Sequence, residues 1–280
     1  MSDEESRTTT GVLPEMKRRG EPIAMLTCYD FPTAIQQDAS NVDVILVGDS
    51  VGMNILGYES PRQVTMEDML HHTRAVRRGV RNAILLADLP YRSYETDAQA
   101  VANARLLADA GADMVKLEGA EEVAGRMGAI TADGIPAVGH VGHMPQTWTG
   151  NRHVYGDRAD EAARVLSGAL ALEAAGASAV VLECVPERVA GVVSRALSIP
   201  TIGIGSGRRC DGQVLVAPDL LGLNDFSFRY SKRYAELGGT IRKAFAKYVI
   251  DVKEKRYPAE EHRYRIRNEE LRKFKALADE

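Results

Sequence analysis

"VILVGDS", residues 44 to 50, is four apolar residues that run into Gly48 and then into Asp49. An apolar run this short, closed by glycine, predicts a strand buried on both faces that carries a carboxylate at its loop end. The same phrase returns as "AILLAD" at 83 to 88, "DMVKLE" at 113 to 118 and "SAVVLE" at 178 to 183. If these strands lie parallel in one sheet, Asp49, Asp88, Glu118 and Glu183 gather at one edge.

Outward from these four, "IAMLTC" at 23 to 28, "IPAVGHV" at 135 to 141, "IPTIGIG" at 199 to 205 and "QVLVA" at 213 to 217 supply four more candidate strands. Helical signals fall between them. Thr65 with Asp68 resembles a capping box, and its helix ends on Arg77, Arg78 and Gly79. Thr96 with Gln99 repeats the signature, and the helix from Asp97 to Ala110 closes on Gly111. An internal echo, "AGADMVKLE" at 110 to 118 against "AGASAVVLE" at 175 to 183, aligns without a gap. Parallel neighbours need helix-sized crossovers, so the alternation predicts an α/β fold. Eight strands in about 200 residues suit a closed (β/α)8 TIM-type barrel, with an open doubly wound sheet as the competing architecture.

The expected organisation is a polar tail and short helix over 1–20, a single (β/α)8 catalytic domain over 21–262 and a charged C-terminal helical extension over 263–280. The segment "SVGMNILGYESPRQ", residues 50 to 63, is long for a connection and reads as a functional loop. Ile241, Phe245, Tyr248, Val249 and Val252 fall at helical spacing and predict an amphipathic helix whose stripe joins the intramolecular core. Leu271, Phe274 and Leu277 sit in the charged end and suit a terminal helix docking on another subunit.

Composition narrows the classes. The 280 residues are 45% hydrophobic and 26% charged, enough for one large core. Basic residues number 35 and acidic ones 39, a net charge of −4 without a long single-sign block, which argues against a nucleic acid partner. Cys28, Cys184 and Cys210 lack CxxC spacing and read as packing residues in a reducing compartment. No apolar run approaches the roughly 18 residues of a membrane span, and the first ten residues lack a signal-peptide core, so the expectation is a cytoplasmic protein without a membrane partner.

Polar residues at the C-terminal ends of barrel strands read as site residues. Asp49 and Asp88 are the first metal candidates, because Mg2+ is typically held by one or two carboxylates and keeps other oxygens around it. Each alone equally suits a helix cap or turn; with Glu118 added, three carboxylates at one edge call for a cation. Lys116, two residues before Glu118, points to the same side and suits an anionic substrate or a structural ion pair. Nearby carboxylates should raise its pKa, which disfavours a Schiff base. Glu183 ends a wholly apolar strand and is the candidate general base, with an N-cap role at the following helix as the plainer alternative. His140 suits a hydrogen-bond donor, whereas His140 with His143 is a weak zinc signal. "GIGSG" at 203 to 207 is a weak phosphate cradle.

With these residues placed, the chain resembles the ketopantoate hydroxymethyltransferase (3-methyl-2-oxobutanoate hydroxymethyltransferase) family. The stretches that carry the likeness are "TCYD" at 27, "VGDSVGM" at 47, "HTRAVRRG" at 72, "LLADLP" at 85, "AGADMVKLEG" at 110, "GHVGHMPQ" at 139, "LECVP" at 182 and "IGIGSGRRCDGQVLV" at 202. The resemblance implies a (β/α)8 barrel that transfers a hydroxymethyl group from 5,10-methylenetetrahydrofolate to 3-methyl-2-oxobutanoate, giving 2-dehydropantoate for pantothenate and coenzyme A synthesis. It implies Mg2+ held by Asp49 and Asp88 with a contribution from Glu118. Asp49, Ser50, Asp88 and Lys116 would contact the oxoacid, and Glu183 would accept the proton. A homo-oligomer, a decamer in this family, is implied as well. The alternatives are another Mg2+-dependent 2-oxoacid enzyme of the isocitrate lyase/phosphoenolpyruvate mutase type, or a non-catalytic paralogue.

Overall fold

A computed structural model describes residues 9–148, 154–224 and 228–278. Eight parallel strands, β1 (Ile23–Thr27), β2 (Val44–Val47), β3 (Ile84–Asp88), β4 (Met114–Glu118), β5 (Ala137–Gly142), β6 (Ala179–Glu183), β7 (Thr201–Ile204) and β8 (Gly212–Leu215), pair in chain order. The sheet closes where β8 pairs with β1. The barrel reading therefore holds and the open sheet does not. Helices α1 (Thr9–Arg19), α2 (Phe31–Ala39), α3 (Met66–Arg77), α4 (Asp97–Asp109), α5 (Ala124–Ala132), α6 (Ala159–Ala174) and α7 (Glu187–Ala196) precede or follow the strands. A short α8 (Ala217–Leu220) comes after β8, and α9 (Leu237–Lys253) and α10 (Asn268–Ala278) end the described chain. None of the described helices is long and apolar enough to cross a membrane.

Strand period explains the two cores. Alternate residues such as Ile45, Leu85, Val115 and Leu182 face the helices. Their neighbours, among them Leu46, Leu86, Met114 and Val181, fill the barrel interior together with Leu13 and Met16 of α1. Met114 inside places Lys116 and Glu118 inside too, each one step nearer the C-terminal mouth. Register then sets neighbours: Asp88 lies beside Lys116, and Glu118 beside His140.

Local signals behave as their chemistry predicts. Thr65 and Asp68 close a reciprocal capping box, with Asp68 N–H donating to Thr65 Oγ1 at 3.2 Å and Thr65 N–H to Asp68 Oδ2 at 2.9 Å. The long loop after β2 is not irregular: it holds a π-helical turn, Gly52–Leu56, and a 3-10 turn, Pro61–Gln63.

One expectation is corrected. The stripe on α9 is not intramolecular core, for no residue of that helix is buried, and Phe245 and Tyr248 are 65% and 57% exposed. Helical periodicity gave the helix but not the surface that covers it.

The N-terminal end of the barrel is closed by Lys17 of α1. Its ammonium donates to Ser194 O at 2.6 Å and Ile199 O at 2.9 Å and pairs with Asp211 Oδ2 at 3.0 Å. Replacing it takes this donor from two carbonyls and the cation from Asp211, whose Oδ2 keeps the Thr201 N–H at 2.8 Å and the Thr201 hydroxyl at 3.0 Å. Lys17→Met is expected to lower the unfolding free energy by about 1–3 kcal/mol, read from the urea midpoint at constant slope; an unchanged midpoint would show that the latch contributes nothing.

Candidate active site

The strand ends bring together the carboxylates, the lysine and the serine that the sequence offered as metal, substrate and base residues. Asp49, Ser50, Asp88, Lys116, Glu118 and Glu183 line one cavity of about 1370 Å³ that runs from the barrel mouth down to Lys17 and Ile23 at the N-terminal end. Lys116 Nζ lies 3.0 Å from Asp88 Oδ1, and the Asp49 N–H donates to Asp88 Oδ2 at 3.1 Å. His140, on β5 between the two repeated strands, bridges their carboxylates. Its Nδ1 is 3.3 Å from Glu118 Oε1 and its Nε2 is 3.4 Å from Glu183 Oε2. These are charge contacts rather than aligned hydrogen bonds, since neither ring nitrogen has a well-directed partner.

All of these side chains are buried except those of Ser50 and Glu183, which are partly open to the cavity. Burial in low dielectric, with Asp88 and Glu118 close by, holds the Asp49 carboxyl well above the usual range. Asp88 is raised by burial, against the pull of Lys116. Burial would raise Glu118 as well, but His140 and Lys116 outweigh it and bring the group below its usual value. For Lys116, burial favours the neutral amine, yet Asp88, Glu118 and Asp49 together push its pKa up. A permanently charged ammonium agrees with the expectation that argued against a Schiff base. His140 is destabilised as a cation by burial, but Glu118 reverses this and carries it to about 9.

Four carboxylates thus face one ammonium and one imidazole. That surplus of negative charge fits a hard divalent cation, and Asp49 and Asp88 supply the two carboxylates such an ion typically takes. Among the described residues, no group of three or more His, Cys, Asp or Glu side chains is placed to hold a metal ion by itself. The HxxH zinc reading gains nothing: His140 faces the two glutamates, while the His143 ring packs edge-on against Trp148 at 5.8 Å.

"GIGSG" does other work than holding phosphate. Ser206 Oγ accepts from Val185 N–H at 3.1 Å and donates to Leu182 O at 2.7 Å, fixing the backbone on either side of Glu183. Gly142 has φ of +101°, and a Cβ there would stand 2.4 Å from Glu183 O, so only glycine lets β5 pass this strand end. The three cysteines are free, and burial pushes their thiols up to about 12, 12 and 11 for Cys28, Cys184 and Cys210, which suits packing. Of the stretch "TGNRHVYGDR" at 149 to 158, residues 149–153 lie outside the described residues.

Sequence reasoning missed three residues behind the carboxylates, Gln146 and Tyr29 buried and Tyr94 half-buried. Gln146 donates from Nε2 to Asp49 Oδ2 at 2.8 Å, Tyr94 bonds the Gln146 side chain, and the Tyr29 hydroxyl meets Ser50 Oγ at 2.8 Å. Gln146 stood inside the quoted "GHVGHMPQ", but a glutamine in a loop has no periodicity that announces its partner.

Fold and site together define a (β/α)8-barrel enzyme with its chemistry at the C-terminal mouth. Solved structures agree on the fold: phosphonopyruvate hydrolase in complex with oxalate and Mg2+ superposes with a TM-score of 0.64 at 13% identity, covering 97% of this chain and 96% of that one. For 2,3-dimethylmalate lyase, of the phosphoenolpyruvate mutase/isocitrate lyase superfamily, the TM-score is 0.60 at 15% identity, with 97% and 99% covered. At such identities the likeness shows the barrel alone. The chain belongs to the ketopantoate hydroxymethyltransferase family, whose model matches residues 7–260. The 3-methyl-2-oxobutanoate hydroxymethyltransferase of Acetivibrio thermocellus is 48% identical over 263 residues, covering 92% of this chain and 93% of that protein. The Thermus thermophilus protein of the same name is 50% identical over 250 residues, with 88% and 96% covered. The chain is accordingly a transferase of hydroxymethyl groups, and the pantothenate pathway follows from the family.

The imidazole gives a test of the electrostatics. Because its folded pKa of about 9 lies above the 6.5 of a free imidazole, protonated His140 stabilises the fold fully below pH 6.5, and this contribution is lost as pH rises through about 9. In chelator, the unfolding free energy is expected to fall by about 3 kcal/mol more in wild type than in His140→Gln between those limits. Parallel pH profiles for the two proteins would refute the assignment.

Proposed function

We propose that the chain transfers a hydroxymethyl group from 5,10-methylenetetrahydrofolate to 3-methyl-2-oxobutanoate, giving 2-dehydropantoate, in a Mg2+-dependent reaction that consumes one water, in the cytoplasm. The observation that carries this reading is a single cavity with surplus negative charge and Lys116 on one wall and Glu183, beside apolar Val181 and Ile204, on the other. Lys116 and Ser50 bind the oxoacid, the ammonium pairing with its carboxylate. Asp49 and Asp88 hold the cation, with Glu118 contributing; Asp49 and Asp88 also border the oxoacid. When bound, Mg2+ supplies Lewis-acid polarisation of the keto group and stabilises charge developing on its oxygen. Glu183 takes the C3 proton, and the resulting nucleophilic carbon forms the new C–C bond to the folate's methylene; both bonds from that methylene to the folate nitrogens break, one water supplies the hydroxyl, and the nitrogens take up the C3 proton and the water's second proton. His140, 3.4 Å from Glu183 Oε2, orients the base and faces its charge with a cationic ring.

Assembly as a homo-oligomer, a decamer by the family resemblance, belongs to the same proposal. The uncovered stripe of α9 supports it, because a helix exposing Ile241, Phe245, Tyr248 and Val249 leaves apolar surface that a second copy would bury. Light scattering is expected to give a multiple of the 30.5 kDa chain, and Phe245→Glu with Tyr248→Glu to lower it; a wild-type monomer would overturn this part.

The reaction is tested on its first half. With Mg2+ and no folate, the C3 proton of 3-methyl-2-oxobutanoate is expected to exchange in D2O, followed by NMR. Glu183→Gln should slow that exchange by about 10²–10⁴-fold while retaining oxoacid binding. Asp88→Asn, close in shape, should lose divalent cation affinity in calorimetry. Wild-type exchange in the first variant removes Glu183 as the base, and an unaltered titration in the second removes Asp88 as a ligand.

A further inference from the structure

Gln146 sits in the turn after β5, is wholly buried, and bonds to four separate segments. Its Nε2 donates to Asp49 Oδ2 at 2.8 Å and to Leu89 O at 3.0 Å. Its Oε1 accepts from the Tyr94 hydroxyl, which in turn accepts from the Glu118 N–H at 3.3 Å. Its backbone N–H donates to Glu118 Oε2 at 3.0 Å, and its carbonyl accepts from Arg62 Nε at 2.8 Å. The amide cannot turn over, since the Leu89 carbonyl accepts only and fixes the NH2 end toward it and Asp49. With Oδ2 of Asp49 tied, Oδ1 is left for the cavity, and no described residue bonds it.

From this we infer that Gln146 is a positioning residue for the transferase reaction: it fixes which oxygens Asp49 and Glu118 present to the cavity, and Tyr94 fixes Gln146. The inference rests on the proposed role of Asp49 and Glu118 in holding the divalent cation. One residue outside the strands thereby sets two carboxylates on β2 and β4, which the barrel backbone alone leaves free to rotate about their side-chain bonds. Outer partners of this kind typically change metal affinity or activity by about 10–100-fold when removed.

The test uses full-length Gln146→Leu, Tyr94→Phe, the double variant and Asp49→Asn, each checked for wild-type secondary structure and thermal midpoint. Mn2+ affinity is measured by calorimetry, and kcat and KM for the oxoacid separately. Gln146→Leu is expected to weaken Mn2+ binding about tenfold and to lower kcat by more than it raises oxoacid KM, because Lys116 and Ser50 are untouched while Asp49 borders the oxoacid. Tyr94→Phe should act in the same direction by about two- to fivefold, and the double variant should lose no more than Gln146→Leu alone. A structural role would lower the thermal midpoint and leave affinity and kcat per folded molecule intact. Wild-type affinity and kcat in Gln146→Leu, with both reduced in Asp49→Asn, overturn the inference alone. If Asp49→Asn is also unaffected, the inference falls together with the reading of the site. Fully additive losses in the double variant overturn the link through Tyr94.

Discussion

An ammonium and a carboxylate locked 3.0 Å apart inside the barrel, Lys116 on Asp88, are the constraint on which the rest of the site depends. Neither charge is tolerable alone at this depth: removing one partner of a buried pair typically costs about 3–5 kcal/mol, because the other is left uncompensated. The pair exists because β3 and β4 run parallel in a register that sets position 88 against 116, and because strand parity turns both side chains inward. Asp49 and Glu118 then enter a space where the one ammonium is already engaged. Their raised and lowered pKa values are two answers to that crowding. Asp49 has no cation of its own and resists ionising, whereas Glu118 has His140.

Much of this was legible because parallel barrels translate sequence position into direction. Four apolar phrases ending on Asp or Glu placed Asp49, Asp88, Glu118 and Glu183 on one rim, and the two-residue spacing put Lys116 on the same side as Glu118. Gln146, Tyr94, Tyr29 and Arg62 were not legible in the same way. Their partners are carboxylates, an amide, a hydroxyl and backbone groups of other segments, and a loop residue's direction follows from turn geometry instead of a repeat. The α9 stripe failed for a third reason. A period of 3.6 states that one face is apolar and leaves open whether the same chain or another covers it.

The internal echo carries the argument furthest. "AGADMVKLE" and "AGASAVVLE" build the same frame twice, on β4 and β6, with β5 between them. Each ends in a glutamate, and His140 touches both, Nδ1 to Glu118 and Nε2 to Glu183. The register is staggered: His140 stands beside Glu118 on one side but beside Val181 on the other, and Glu183 lies level with Gly142. Glu183 is therefore lifted toward the mouth, where it is partly open to the cavity, while Glu118 is sealed below. Within the aligned frames, Lys116 corresponds to Val181. One copy thus gives its glutamate a neighbouring ammonium, and the other gives it an apolar side chain. Two carboxylates in unlike surroundings are what a site needs to hold charge with one and move a proton with the other. Of the three differences between the frames, Asp113/Ser178, Met114/Ala179 and Lys116/Val181, the Lys-for-Val one changes the charge beside the glutamate, and the stagger adds the difference in exposure.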